Sequence, residues 1–290
     1  MDYYHRIQNA IEFIELNLKE DINITDIASK AYFSPFHFQR LFQAICGFSV
    51  QGYIRKRRMT EAALLLKKTD KTILEIAIAL QYGSQEAFTR AFHSCFSITP
   101  NKYRKLQKSN VNYFEKINFM DYKKKIQGDL NIDKLNIIHL NKTYIAGYEY
   151  ITNLDEEKYF NEIPGFYDNF GRNEYYMRIT GRIAPAFPFG VSCNYSDDGG
   201  FSFVVGEAIK QPIEELEDGF VNLEIPEGKY AEFKINSSVG MAQNTWRYIY
   251  GTWLPNSNYE RREGPDFEVT DVCKSVHPGN MSMRIYIPIQ

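Results

Sequence analysis

Apolar residues recur at helical spacing through the first third of the chain. From Tyr4 to Lys19, the residues Ile7, Ala10, Ile11, Ile14 and Leu18 form one stripe, which predicts an amphipathic helix. Thr25, followed by Asp26, is the expected N-cap of a short helix over 26–31. Ser34-Pro35 opens another helix: Ser34 suits the cap and Pro35 the first helical position, with Gly47 as the stop. A long helix is predicted over 50–68, polar early and rich in leucine late (Leu64, Leu65, Leu66). Thr72 should cap a helix over 73–80 and Ser84 one over 85–96, and Pro100 should start a last basic turn reaching Lys105. This part is therefore expected to be all-α, with seven helices.

Beyond residue 108 the pattern fades. Residues 109–134 read as a polar linker, with a partial helix over 112–125. From about Leu135, β-branched and aromatic residues alternate between Gly and Pro punctuation, the mark of strands. A strand is predicted over 137–150, a helix over 155–170, and strands over 187–194 and 201–208. The turn Ser196-Asp197-Asp198-Gly199-Gly200 joins the last two. A strand over 229–236, a helix over 239–253, and strands over 267–272 and 282–289 follow. The order is βαββ twice. Two such units can pair their sheets and leave a ligand groove between them. The expected architecture is multidomain: an all-α domain over 1–108, a linker over 109–134, and an α+β domain over 135–290.

The α-helical part repeats itself. Ile27-Ala28 aligns with Ile76-Ala77, 49 residues on. After one extra residue in the second turn, Ser34, Phe38, Arg40 and Phe42 align with Ser84, Phe88, Arg90 and Phe92, 50 residues on. The two Phe of each copy are i, i+4 neighbours that bury one face against the preceding short helix. This is the shape of a helix-turn-helix, whose second helix offers a polar face to a major groove. That face is expected to hold Phe36, His37, Gln39, Arg40 and Gln43 in the first copy, and Gln85, Glu86, Thr89, Arg90 and His93 in the second. Arg reads guanine and Gln reads adenine through paired hydrogen bonds, each worth about 1–3 kcal/mol of discrimination.

Charge supports a polyanionic partner. Residues 1–108 hold 16 Lys/Arg against 10 Asp/Glu, a net of +6, while residues 109–290 hold 18 against 26, a net of −8. Arg55-Lys56-Arg57-Arg58, and the group Lys102, Arg104 and Lys105, are candidate phosphate contacts, which fix register without reading sequence. An apolar content of 44% excludes a disordered chain, and no apolar run approaches a membrane span. Met1-Asp2-Tyr3-Tyr4-His5 has no basic stretch leading into an apolar one, so no secretory signal is expected. The four cysteines, Cys46, Cys95, Cys193 and Cys273, form no CxxC pair, so free thiols of a cytoplasmic protein are expected, with no metal and no cofactor.

Four stretches carry a resemblance. They are Ala28-x5-Ser34-x3-Phe38-Gln39-Arg40-x-Phe42, Ile73-Leu74-Glu75-Ile76-Ala77, Ser84-Gln85-Glu86-Ala87-Phe88-Thr89-Arg90-Ala91-Phe92, and Thr99-Pro100-x2-Tyr103-Arg104. Residues 1–108 resemble the DNA-binding domain of the AraC/XylS transcription regulators. The resemblance implies that both recognition helices enter adjacent major grooves. It also implies base-edge reading at Phe36, Gln39, Arg40, Gln85, Glu86, Thr89 and Arg90. With Ser34, His37 and Ser84 beside them, and Lys56, Arg57 and Arg104 on phosphates, these form the expected DNA-binding set. The family often places Gly in the turn before the first recognition helix, where this chain has Tyr32-Phe33. The domain usually stands at the C-terminus. Its N-terminal position here resembles the smaller group typified by the right-origin-binding protein.

The second half is rich in aromatics: Tyr148, Tyr150, Tyr167, Phe170, Tyr175, Tyr176, Phe187, Phe189, Trp246, Tyr250 and Trp253. Together they exceed what one small core needs, which favours an aromatic-walled cavity. A carboxylate beneath such faces attracts an organic cation, by about 0.5–2 kcal/mol per ring. The segments Gly228-Lys229-Tyr230-Ala231, Tyr250-x2-Trp253-Leu254-Pro255-x-Ser257-x-Tyr259, Asp266-Phe267-Glu268 and Ile287-Pro288-Ile289 resemble the gyrase-inhibitor-like effector-binding domain. That family implies a cavity in which the residue at Glu268 pairs with cationic ligands. The expected ligand set is Tyr148, Tyr167, Phe187, Phe189, Trp246, Tyr250, Trp253 and Glu268. The first unit departs from the family, with Asp197-Asp198 in a turn in place of Asp-Pro after its strand.

These readings combine into a one-component transcription regulator. The N-terminal part binds promoter DNA and the C-terminal part senses a small apolar or cationic effector. Contact with RNA polymerase is implied by the resemblance alone. Two alternatives stay open: a small-molecule hydrolase using Glu268 or Glu232 with a Tyr, and a protein-binding module. Against an enzyme, the chain has no G-x-S-x-G, H-E-x-x-H, Walker or Rossmann fingerprint.

Overall fold

A computed structural model describes residues 3–106, 111–119, 134–154, 158–196, 199–237, 239–276 and 280–290. The chain divides into two compact units, one made of Met1–Phe38 with Ser49–Lys124, the other of Gln39–Phe48 with Lys125–Gln290.

Among the described residues 3–106 there are seven helices: α1 (Tyr3–Leu16), α2 (Ile24–Lys30), α3 (Pro35–Cys46), α4 (Val50–Lys68), α5 (Ile73–Ala79), α6 (Gln85–Phe96) and α7 (Pro100–Lys105). The expected start of α2 needs correction. Its N-cap is Asn23, whose side chain accepts from the Asp26 amide at 2.8 Å, which lets Ile24 enter the helix and the core. Thr72 caps α5 in a reciprocal capping box with Glu75, and Ser84 caps α6. The two helix-turn-helix turns are built alike. Tyr32 (φ 56°) and Gln81 (φ 66°), 49 residues apart, both take the left-handed conformation. A tyrosine thus fills the turn where Gly is frequent, and its side chain is exposed. Phe88 and Phe92 are fully buried with Ile76, Ala77, Leu80 and Tyr103. The partial helix expected over 112–125 is not found over 111–118, and residues 120–125 lie outside the described residues.

Among the described residues of the second half, eight strands form one antiparallel sheet: β1 (Lys134–Leu140), β2 (Thr143–Asn153), β3 (Phe189–Cys193), β4 (Gly200–Ile209), β5 (Phe220–Ile225), β6 (Gly228–Ser237), β7 (Asp266–Thr270) and β8 (Met281–Pro288). Helix α8 (Lys158–Arg172) follows β2, and α9 (Val239–Tyr248) follows β6 and widens into a π-helical stretch over Ile249–Trp253. The duplicated βαββ is therefore β2-α8-β3-β4 and β6-α9-β7-β8. The strand order β1-β6-β8-β7-β3-β4-β2-β5 joins the two copies at β7 and β3.

Two strands depart from expectation. The single strand expected over 137–150 is two, because the polar Asn141-Lys142 breaks it and sends the halves to different partners. β1 pairs with β6 of the second copy, and β2 pairs with β4 and β5. β5 itself was not expected. It lends the edge of the first copy what β1 lends the second, so each copy is completed by a strand beside the other in sequence. Of the turn expected at 196–200, Asp197 and Asp198 lie outside the described residues.

Strand alternation sorts the side chains onto two faces. Val191, Val204, Phe267 and Tyr286 build the core of one face. Phe201, Phe203 and Val205 point to the other, where they meet Tyr159, Phe160 and Phe170 of α8.

Candidate functional site

The second recognition helix is open to solvent on its polar side. Gln85, Glu86, Arg90 and His93 are exposed and Thr89 is half-buried, while Phe88 and Phe92 anchor the opposite face. Ser84 spends its hydroxyl on the Ala87 amide at 3.1 Å.

The first recognition helix differs, and its expected outward face needs correction. His37, Gln39, Arg40 and Gln43 are buried, and Phe36 is half-buried. The His37 ring lies 4.5 Å from that of Phe33. Gln39 and Arg40 belong to the same compact unit as residues 125–290. Gln39 Nε2 donates to the Ser196 carbonyl at 3.3 Å, and Arg40 Nη1 donates to the Tyr195 hydroxyl at 2.9 Å. The Arg40 guanidinium stands 3.8 Å from Asp266, 4.6 Å from the Trp246 ring centre and 5.3 Å from that of Tyr250. The reason is chemical: a buried carboxylate and two aromatic faces offer Arg40 what water would. Ser34, like Ser84, caps its own helix, accepting from the His37 amide at 3.3 Å.

The basic run divides along the helix. Lys56 is exposed and its ammonium lies 5.3 Å from the Phe114 ring centre. Arg57 points inward. It makes a forked pair with Glu15 (2.9–3.1 Å), reaches Glu61 at 3.2 Å, and donates to the Phe114 carbonyl at 2.8 Å. Its place on the phosphate side is thus corrected to a structural one. Arg104 is half-buried and donates to the Lys71 carbonyl.

The sheet and α8–α9 line an open-mouthed cavity of about 840 Å³, within the range of small-molecule sites. Tyr167, Trp246 and Glu268 line it, together with Arg40, Tyr159, Phe160, Phe203, Glu207 and Arg182. Glu268 is buried. Its Oε1 accepts from the Tyr167 hydroxyl at 2.9 Å and its Oε2 from the Trp246 indole N–H at 3.1 Å. Burial pushes the Glu268 carboxyl above the usual carboxylate range, against the pull of those two donors and of Arg40. The Tyr167 hydroxyl reaches Glu268 across Gly190, the β3 residue facing Glu268. A Cβ on Gly190 would lie 2.1 Å from the Tyr167 oxygen and 2.5 Å from the Phe203 ring. That glycine is needed for space.

The other expected ligand residues fall elsewhere. Tyr250 sits behind Trp246, near-parallel at 6.5 Å, and donates to Asp266. Tyr148 is half-buried, stacks on Tyr175 at 4.4 Å and packs against the core. Phe189 points to the opposite face, against Phe267. Trp253 packs on Phe233 at 4.9 Å. Phe187 is half-buried and is not among the lining residues. Strand phase explains the split, since Phe189 is one residue from Gly190 and so faces away. The same phase could have found Phe203 and Glu207, which alternate on β4 on the cavity side. Glu207 is buried and paired with Arg182 at 3.2 Å.

Residues 136–289 match the family described as integron-associated effector binding protein, and residues 18–106 match a helix-turn-helix domain. The transposon Tn10 TetD protein of Escherichia coli is 44% identical over 99 residues, covering 34% of this chain and 72% of that protein. The transcriptional regulator Rob of Salmonella typhimurium is 25% identical over 299 residues, covering 100% of each. Among solved structures, an integron cassette protein from the mobile metagenome of Vibrio cholerae is 18% identical and covers 54% of this chain and 95% of its own, with a TM-score of 0.37. No helix among the described residues is long and apolar enough to cross a membrane.

Proposed function

The chain belongs to the integron-associated effector binding protein family and carries an AraC-type helix-turn-helix domain, a DNA-binding transcription regulator with a ligand-sensing C-terminal part; from that premise we propose that its effector is a lipophilic monocation held over Glu268. The observation that carries this is a buried carboxylate in an aromatic cavity, hydrogen-bonded there by one tyrosine and one indole. Tyr167 and Trp246 orient the carboxylate, and the rings of Tyr159, Phe160 and Phe203 supply apolar walls.

We take residues 1–108 as the DNA-binding domain, 109–134 as the linker and 135–290 as the effector-binding domain. Gln85, Glu86, Thr89 and Arg90 of α6 read base edges, and Lys56, Lys102 and Lys105 meet phosphates. The cavity acts as a sensor, not a catalytic site. Effector binding changes promoter output, as activation through RNA polymerase, in the cytoplasm.

Two measurements test the reading. Titration against a pool of random duplexes across a salt series should select an asymmetric site, with affinity falling as salt rises; no selected sequence would remove the promoter role. Tetraphenylphosphonium titration should give tighter binding as pH climbs through the raised Glu268 pKa, because only the carboxylate attracts the cation. Glu268→Gln should weaken the cation about tenfold, flatten the pH profile and leave neutral triphenylphosphine oxide unchanged. An equal effect on both probes would remove the role of Glu268.

A further inference from the structure

Arg40 occupies the place a cationic ligand needs. Its guanidinium lies 4.6 Å from the ring centre of Trp246, the residue whose indole holds Glu268, and Arg40 itself lines the cavity. Its positive charge favours the ionised form of Glu268. We propose that Arg40 is the resident cation of this cavity, and that a monocationic effector binds by displacing it. The inference rests on the reading that the cavity takes a cation, and adds how occupancy is transmitted.

Charge balance carries the argument. Trp246 meets two buried charges, Arg40 and Glu268, and two more lie next to Arg40, Asp266 and, paired with it, Arg261. Arg261 donates to Asp266 at 2.9 Å, so Asp266 is already matched. Arg40, 3.8 Å from Asp266 on its other side, is the remaining positive charge, and its field favours the ionised form of Glu268. The remaining charged pairs of the lining cancel internally, Arg182 with Glu207 at 3.2 Å and Arg172 with Asp168 at 2.9 Å. The cavity is neutral with Arg40 in place, and a second cation beside it would leave one buried positive charge unmatched, which is costly. Release of Arg40 restores neutrality and clears the Trp246 face. Asp266 keeps Arg261 and the Tyr250 hydroxyl, so the seat survives the departure.

Arg40 lies in the middle of α3, in the segment Gln39–Phe48. Displacement therefore acts on a recognition helix. By linkage, any DNA that requires Arg40 free is bound more tightly with the cation present, and the cation more tightly with that DNA.

The test uses the full-length chain and tetraphenylphosphonium, read by quenching of tryptophan fluorescence, with triphenylphosphine oxide as the neutral control. Arg40→Met, which keeps the apolar stem, should tighten the cation about tenfold and leave the neutral probe within about twofold. Amide hydrogen exchange on the unmutated chain gives a second readout that needs no variant: saturating cation should speed exchange across residues 39–48. Equal or weaker cation binding by Arg40→Met overturns the inference, as does unchanged or slower exchange at 39–48 while the cation is bound. Cation binding to neither protein, or binding indifferent to Glu268→Gln, sinks the cation reading of the cavity and this inference with it.

Discussion

Helices α3 and α6 carry the same Ser-x3-Phe-x-Arg-x-Phe pattern and place it in opposite surroundings. Both bury their two Phe completely, and both begin at a serine cap. Yet Arg90 is exposed, while Arg40 is buried between a carboxylate, a tyrosine hydroxyl and an indole. The apolar half of the pattern sets how each helix packs on its partner. The polar half is left free to serve different tasks. One copy keeps a face available to a groove, and the other is spent on the cavity of the effector-binding half.

The largest expected effect removes the seat of that difference. Asp266→Ala leaves Arg261, which is almost fully buried, without its carboxylate, and takes the ion-pair partner from Arg40. The cost should be about 3–5 kcal/mol in denaturant unfolding. A loss below about 1 kcal/mol would mean that the buried charges find water or other partners. On the exposed copy, Arg90→Ala should leave stability within about 0.5 kcal/mol and cost about 1–3 kcal/mol in binding to the selected duplex, with base preference relaxed at one position. Equal loss on selected and random duplexes would make Arg90 a phosphate contact.

A smaller effect separates two neighbours in the basic run. Lys56→Ala should reduce the salt slope of DNA binding by about one unit. Arg57→Ala should leave that slope alone and lower stability, since it leaves Glu15, largely buried, with the Tyr53 hydroxyl but without a counter-charge. A slope change in Arg57→Ala would reverse the assignment.

What was legible in the sequence followed from local rules. Caps, Pro at the first helical position and the i, i+4 Phe pairs placed the seven helices to within a few residues, and period-two alternation placed most strands. β5 was missed although the sequence marks it: Asp218-Gly219 is a turn signal at its start, and Val221, Leu223 and Ile225 keep the period of two after a loop crowded with carboxylates. Glu268 and Trp246 were legible as cavity residues, whereas Phe189 and Tyr148 were not separable from core, because that distinction depends on strand phase and on what covers each face. The burial of Arg40 had no local signal at all. Asp266, Tyr195 and Trp246 are far away in sequence, and the apolar Phe36 in α3, where α6 has Glu86, does not by itself say what the face meets.

The smallest effect tests whether the shared half of the pattern is equally strong in both copies. Ser84 Oγ accepts from the Ala87 amide at 3.1 Å and Ser34 Oγ from the His37 amide at 3.3 Å. Each satisfies one of the first-turn amides that a helix cannot satisfy itself. Ser84→Ala should cost about 1 kcal/mol. Ser34→Ala should cost no more, since its bond is longer and α3 opens on Pro35, whose position in the first turn needs no amide partner. Ser34 costing clearly more than Ser84 would mean that the start of α3 is held by more than its cap. The two copies would then differ in how they are anchored as well as in what their arginines meet.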